Sequence, residues 1–341
     1  MNYRLGLRSI YLLLVIFLIS ACGTSLPEGC PPDCISQNLN NRSLQRADFS
    51  GAQLMDADLS QADMTYADLS SADLSGARLV GANIDSAQLD NAALIGTDFS
   101  SANLDNTSVK GSNFSGANLS QASMVGIDLT TAILSGINLE KAILIGSKLA
   151  RAELSGVPAA NSDFSGADLE GADLDGALLS LSNLSGTNLR NAHLKGGWLN
   201  LTKMVSADLT GADLSGALLY GADLTGAFLS GADLSGVNFI GANLSGADLR
   251  GANLSGATLV VPLPPDAGAG YSYAALSGED LINAISQAGM VDIYYDTNMR
   301  TLNEARLKPI IKDTLLQGVL YNNDTIWPRG FAIPPTAIFK N

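Results

Sequence analysis

From Leu44 to Leu259 every fifth residue is apolar, and no insertion shifts that phase across forty-four consecutive units. Thirty-three of these centres are Leu; the others are Phe, Met, Ile84, Val109 and the single small residue Ala159. Two places before the centre, thirty of the units carry Ala. In a unit such as Ala57-Asp58-Leu59-Ser60-Gln61, the small and the large residue lie two apart with a polar one between them. On an extended strand that alternation turns Ala57 and Leu59 inward and Asp58 outward. The last two residues turn a corner, and Gly holds the final place in every unit from Gly211 to Gly256, where a tight turn favours a residue without a Cβ. Helical faces recur near 3.6 residues and strand faces at 2, so a period of five fits neither. It fits a coil with a corner every five residues.

Units such as Ala67-Asp68-Leu69-Ser70-Ser71 and Ala252-Asn253-Leu254-Ser255-Gly256 resemble the A-[DN]-L-x-x consensus of the pentapeptide-repeat family, and the resemblance runs from Leu39 to Leu259. It implies an all-β solenoid: a right-handed quadrilateral β-helix with four units per coil and the centres stacked inside. Forty-four units then make about 11 coils, roughly 53 Å tall at the ~4.8 Å spacing of neighbouring strands. Backbone hydrogen bonds in such a rod run between coils, which leaves a raw edge at each end. One unit, Val157-Pro158-Ala159-Ala160-Asn161, keeps the count but not the chemistry. Pro158 lacks a backbone donor and Ala159 underfills the core, so a bulge or weak spot is expected there.

The segments outside the array differ in character. In residues 1–21, Arg4 and Arg8 precede an apolar run from Ile10 to Ile19, too short to span a bilayer and patterned as a targeting leader. Its end, Ile19-Ser20-Ala21-Cys22, resembles the lipobox of bacterial lipoproteins. That resemblance implies cleavage before Cys22, a diacylglyceryl group on its thiol, and a mature chain tethered to a membrane outside the cytoplasm. With Cys22 lipidated, Cys30 and Cys34 remain as a pair in an oxidising compartment, read as a small disulfide loop or as free thiols. Residues 22–38 are then the tether and N-terminal cap, and 39–260 the β-helix.

Beyond the array, 261–270 reads as a Pro/Gly linker, and 271–341 as a small α+β segment. Ser277-Gly278-Glu279-Asp280 has capping-box spacing and opens a short helix with Leu281, Ile282 and Ile285, stopped at Gly289. Met290 to Tyr295 patterns as a strand. The stretch Tyr321-Asn322-Asn323-Asp324-Thr325-Ile326-Trp327-Pro328-Arg329-Gly330-Phe331 resembles the closing segment at the ends of many pentapeptide-repeat proteins. That implies Trp327 and Phe331 laid over exposed core.

Folded into four columns, the sequence has two outer faces that stand out. Leu178, Trp198 and Leu218 align at outward positions, with Tyr220 and Ile240 beside them. This is a candidate docking face for another protein or a second copy, or a surface that the C-terminal segment covers. The second reading is preferred, because the linker is adjacent and the segment has apolar residues to bury. Another face stacks Glu153, Asp173, His193, Asp213 and Asp233. Asp173, His193 and Asp213 are a candidate site for a divalent cation; a solvated acidic ladder is the plainer reading.

The net charge is −14, and removal of the leader takes Arg4 and Arg8 with it. Such a surface repels nucleic-acid phosphates and anionic headgroups. No nucleophile motif accompanies His193, the sole histidine, and no carboxylate pair is singled out as an acid/base couple. The sequence therefore reads as a non-enzymatic, cofactor-free, membrane-anchored rod that scaffolds or binds protein in the bacterial envelope. The alternative is an acidic DNA mimic that binds a type II topoisomerase, as some relatives do, which the export signal disfavours.

Overall fold

The structure is a computed structural model, and it describes residues 26–258, 319–327 and 337–340. Along the array each outward residue pairs in parallel with the residue 20 positions on, from Asp33–Gln53 to Asn238–Thr258. Four units thus close each turn of a quadrilateral β-helix, and four ladders of paired rungs run along the rod.

Why the consensus has its composition follows from where the backbone amides go. In the unit centred on Leu59, the Leu59 amide donates to Arg78 O of the next coil at 2.7 Å, and Gln61 donates to Val80 O at 2.9 Å. Asp58 donates back to Gln37 O at 2.9 Å, and Ala62 closes the corner onto Leu59 O at 3.0 Å. Gln61 has φ +59°, the left-handed third position of a type II turn. One amide per unit has no backbone acceptor: that of Ser60. The Asp58 carboxylate accepts it at 3.1 Å. The same bond recurs at Asp68–Ser70, Asp98–Ser100, Asp163–Ser165 and Asp233–Ser235, and Asn118 supplies it to Ser120. The outward Asp or Asn is therefore a backbone cap, which explains its recurrence better than solvation does.

The centres and the small residues before them form one buried column, with Leu59, Leu119, Leu199 and Ala177 all at 0% exposure. Where a hydroxyl enters this column it donates to a carbonyl, as Thr97 does to Leu74 O at 2.8 Å and Ser182 to Ala159 O at 2.7 Å. The phase reaches further toward the N-terminus than the region expected for the helix. Cys34 and Leu39 are already fully buried centres, and Asp33 already pairs with Gln53. Cys34 is joined to Cys30 by a disulfide, and Leu26 packs against the first coil. Cys22 and the leader lie outside the described residues.

The expected bulge at Pro158 is absent. Leu139 still donates to Pro158 O at 2.7 Å, Ala159 still donates to Leu178 O at 2.9 Å, and Ala159 is fully buried. Proline removes only the one amide that would have reached the coil below. The expected weak spot is present as a loosening of the ladders at Pro158 and nearby. Among the described residues, the rungs Ser108–Asp128, Ile133–Glu153 and Asn138–Pro158 lack the paired bridge. The first and third border Ile127 and Ile137, which occupy slots that Ala fills in most units.

The C-terminal edge is closed by sequence-distant residues. Val319 is fully buried, Leu320 pairs with Asp248 and Ile326 with Asn253. A two-residue strand, β1 (Leu320–Tyr321), pairs in parallel with β2 (Ile338–Phe339). Thr325 donates its hydroxyl to Leu249 O at 2.9 Å, and Asn322 Oδ1 accepts the Gly251 amide at 3.0 Å. Tyr321 meets Trp327 and Phe339 edge-on, with ring centroids 5.8 and 5.4 Å apart. Trp327 packs against the core as the closing-segment resemblance implies; Phe331, the linker and the helix opening at Ser277 lie outside the described residues.

Candidate docking face

Leu178, Trp198 and Leu218 are consecutive rungs of one ladder, which continues through Asn238 to Thr258. Tyr220 and Ile240 stand two residues after the ladder positions in the next coils, beside the same corner. The structure thus brings the five predicted residues onto one edge of the rod. Leu178 is exposed, Trp198, Leu218 and Tyr220 are half-buried, and Ile240 is buried to 6% exposure.

Apolar residues here forfeit the cap that Asp or Asn supplies elsewhere. The Ser180 and Asn200 amides find no acceptor among the described residues, a cost of about 1 kcal/mol each where they are shielded from water. The third is rescued: Asn200 Oδ1 accepts the Tyr220 amide from one coil below, at 3.2 Å. At the next rung the usual cap returns, Asn238 to Ile240 at 3.1 Å, and Asn238 also donates to the Tyr220 hydroxyl at 2.7 Å.

Two further residues belong to this edge and were missed by the column reading. Leu181 and Leu201 occupy the corner position, with φ +65° and +59°. They are the aliphatic residues among the described non-glycine residues at positive φ. An L-residue there costs roughly 1–2 kcal/mol. Leu201 is nonetheless buried to 6% exposure. The signal was readable: a column taken through the corner positions sets Leu181 and Leu201 next to each other, where Gly, Ser, Asn, Gln and Lys otherwise stand. A smaller apolar patch on the next face, Val125, Ile143 and Ile145, is also exposed and was equally missed.

The acidic ladder does not make a cation site. Asp173 Oδ1 accepts the Asp175 amide at 3.0 Å, and Asp213 Oδ1 accepts that of Ser215 at 2.8 Å. His193 cannot cap its own unit, and Asp175 reaches up one coil to take the Lys195 amide at 2.8 Å. The carboxylates are thus engaged as caps. Among the described residues, no group of His, Cys, Asp and Glu is arranged to hold a metal ion, which corrects the reading of Asp173, His193 and Asp213 as ligands. Burial pushes the Asp213 carboxyl up, but the Ser215 hydrogen bonds, with Lys195 and His193 nearby, outweigh it and hold it below the usual carboxylate value.

These features define a class: a β-helical repeat protein whose inside is uniform and whose outside carries an apolar edge. The model for pentapeptide repeats matches in eight copies, at residues 38–65, 62–100, 82–121, 97–136, 122–157, 162–197, 202–239 and 217–256. These copies span more than half of the chain, and it belongs to the pentapeptide-repeat family. No curated protein sequence matches it. Among solved structures it is similar to HetL of the cyanobacterium Nostoc sp. strain PCC 7120, a pentapeptide repeat protein involved in heterocyst differentiation regulation. That match is 30% identical, covers 64% of this chain and 84% of HetL, and has a TM-score of 0.27. A trypsin-treated form of QnrB1, a plasmid-mediated fluoroquinolone resistance protein, is 26% identical over 53% of this chain and 88% of its own, with a TM-score of 0.27. Rfr23 of the cyanobacterium Cyanothece 51142 is 28% identical over 40% and 86%, with a TM-score of 0.24.

Proposed function

We propose that this chain is a lipid-anchored rod of the bacterial cell envelope, held to a membrane through a diacylglyceryl group on Cys22 and acting without catalysis as a rigid scaffold for protein contact. The observation that supports it is the short path from tether to rod. Cys22 ends the lipobox-like Ile19-Ser20-Ala21-Cys22, and paired rungs begin at Asp33. The rod would therefore stand close to the bilayer, projecting its faces along a stack that the inter-coil hydrogen bonds make stiff. Labelled palmitate should enter the wild-type chain and not Cys22→Ala, and globomycin should accumulate the uncut precursor. Equal labelling of Cys22→Ala would overturn the tether.

The acidic DNA-mimic reading keeps one observation in its favour, the net charge of −14 on a rod. Its discriminating result is a Cys22→Ala chain that stays in the cytoplasm and inhibits topoisomerase supercoiling at stoichiometric amounts. A supercoiling rate unchanged at tenfold excess of the chain would remove it.

A further inference from the structure

We propose that the apolar edge is an internal docking site for the chain's own residues 259–318, with Leu281, Ile282 and Ile285 seated on the corner made by Leu178, Leu181, Trp198, Leu201, Leu218 and Ile240. The proposal does not depend on the tether.

The departure point carries the first argument. Thr258 pairs with Asn238 on the same ladder as Leu218, Trp198 and Leu178. The chain therefore leaves the array directly above the apolar rungs. It is back on the rod at Val319, with Leu320 on the Asp248 ladder, two faces further round. One five-residue unit would cover the intervening face, and residues 259–318 supply sixty residues for it. Leu178 lies four rungs below Thr258, about 19 Å, which roughly six extended residues can span.

The corner itself carries the second. Leu181 and Leu201 hold a backbone conformation that aliphatic residues avoid, and Leu201, Ile240 and Ser180 are buried although they stand on the outside of the coil. Asn200 is at 1% exposure, and its Nδ2 has no acceptor among the described residues while its Oδ1 is engaged by Tyr220. A buried amide donor at a surface corner calls for a carbonyl from whatever covers it.

Charge selects the occupant. Lys195 and Lys203 flank Trp198 within its own coil, both exposed, and neither forms an ion pair among the described residues. The segment brings Glu279 and Asp280 next to Leu281, with Leu281, Ile282 and Ile285 spaced for one helical face. A second copy would bring the same two lysines and the same corner, so like charges would meet.

The test uses the full chain in detergent with Trp327→Phe, which leaves Trp198 as the only tryptophan. Acrylamide should quench Trp198 weakly, and Leu281→Asp/Ile285→Asp should raise the quenching constant at least about threefold without moving the far-UV spectrum of the coil. Equal quenching in the two chains, or protection lost on dilution as a second copy would give, overturns the proposal. Independently, Leu218→Cys with Ile285→Cys should form a disulfide within one chain, mapped by peptide mass. A bridge found only between two chains, or no bridge at all, counts against it.

Discussion

The Trp198 ladder has two halves that share an interior and differ outside. From Asn38 to Asn138 its rungs are Asn, Asp and Arg, and Asp58, Asp98, Asn118 and Asn138 each cap an amide two residues on. The Asn118 amide also donates to Asp98 one rung below, at 3.0 Å. From Pro158 to Leu218 the rungs are apolar and the caps are missing or borrowed. Behind both halves the centres are equally buried, Leu119 and Leu199 alike at 0% exposure. The coil is held by its interior and its inter-coil bonds, and the outward position is free to serve either the backbone or a surface.

That contrast can be broken by experiment. The largest effect is expected inside: Leu119→Ala and Leu199→Ala should each cost about 2–5 kcal/mol in urea unfolding. A loss at Leu199 well below that at Leu119 would mean that the upper half depends on something other than its interior. Next come the caps. Asp98→Ala in the lower half and Asn200→Ala in the upper should each cost about 1 kcal/mol, while Trp198→Asn, which restores a cap to the Asn200 amide, should recover a similar amount in a chain whose docking segment is already displaced. Equal stability of Asp98→Ala and wild type would refute the capping role.

Acid should then separate the halves. Asp58 is held below the usual carboxylate value by hydrogen bonding from Ser60, with Asn40 and Arg78 adding to it, which together outweigh the burial penalty. A carboxyl lowered in the folded state stabilises it above the unfolded value, here 3.8, and that contribution is lost as pH falls through the lower folded value. Amide protection at Ser60 should therefore weaken below about pH 4 relative to Ser180, whose unit has no carboxylate cap. The smallest effect is at the surface. Arg190→Ala removes a half-exposed pair with Asp208, 3.0 Å apart, and should change stability by less than about 0.5 kcal/mol.

The period made the core and the coil readable, because which side a residue faces follows from its place in five. It could not show which amide lacks an acceptor, since that depends on the pairing between coils. Asp173 and Asp213 were consequently read as a solvated ladder, with a cation site as the candidate alternative, when each is engaged as a cap. Cys34 lies in phase with the centres, yet its chemistry drew it into a loop reading instead of the core. Pro158 looked disruptive because proline removes a donor, but the coil spends only one amide there and the other three connections of the unit persist. Leu181 and Leu201 escaped notice because corners are read as turns and not as surface.

The closing segment has a consequence for biosynthesis. Within the array each residue waits for a partner 20 positions away, so coils can form in order as the chain emerges. The last coil waits far longer: Thr325 must reach Leu249, 76 residues back, and Asn322 must reach Gly251, 71 back. Until Val319 and Trp327 have been synthesised, the top of the growing rod is an open sheet edge. A ribosome that stops between Thr258 and Val319 therefore releases a complete array with an unsealed end, the form most prone to stack on another unfinished copy.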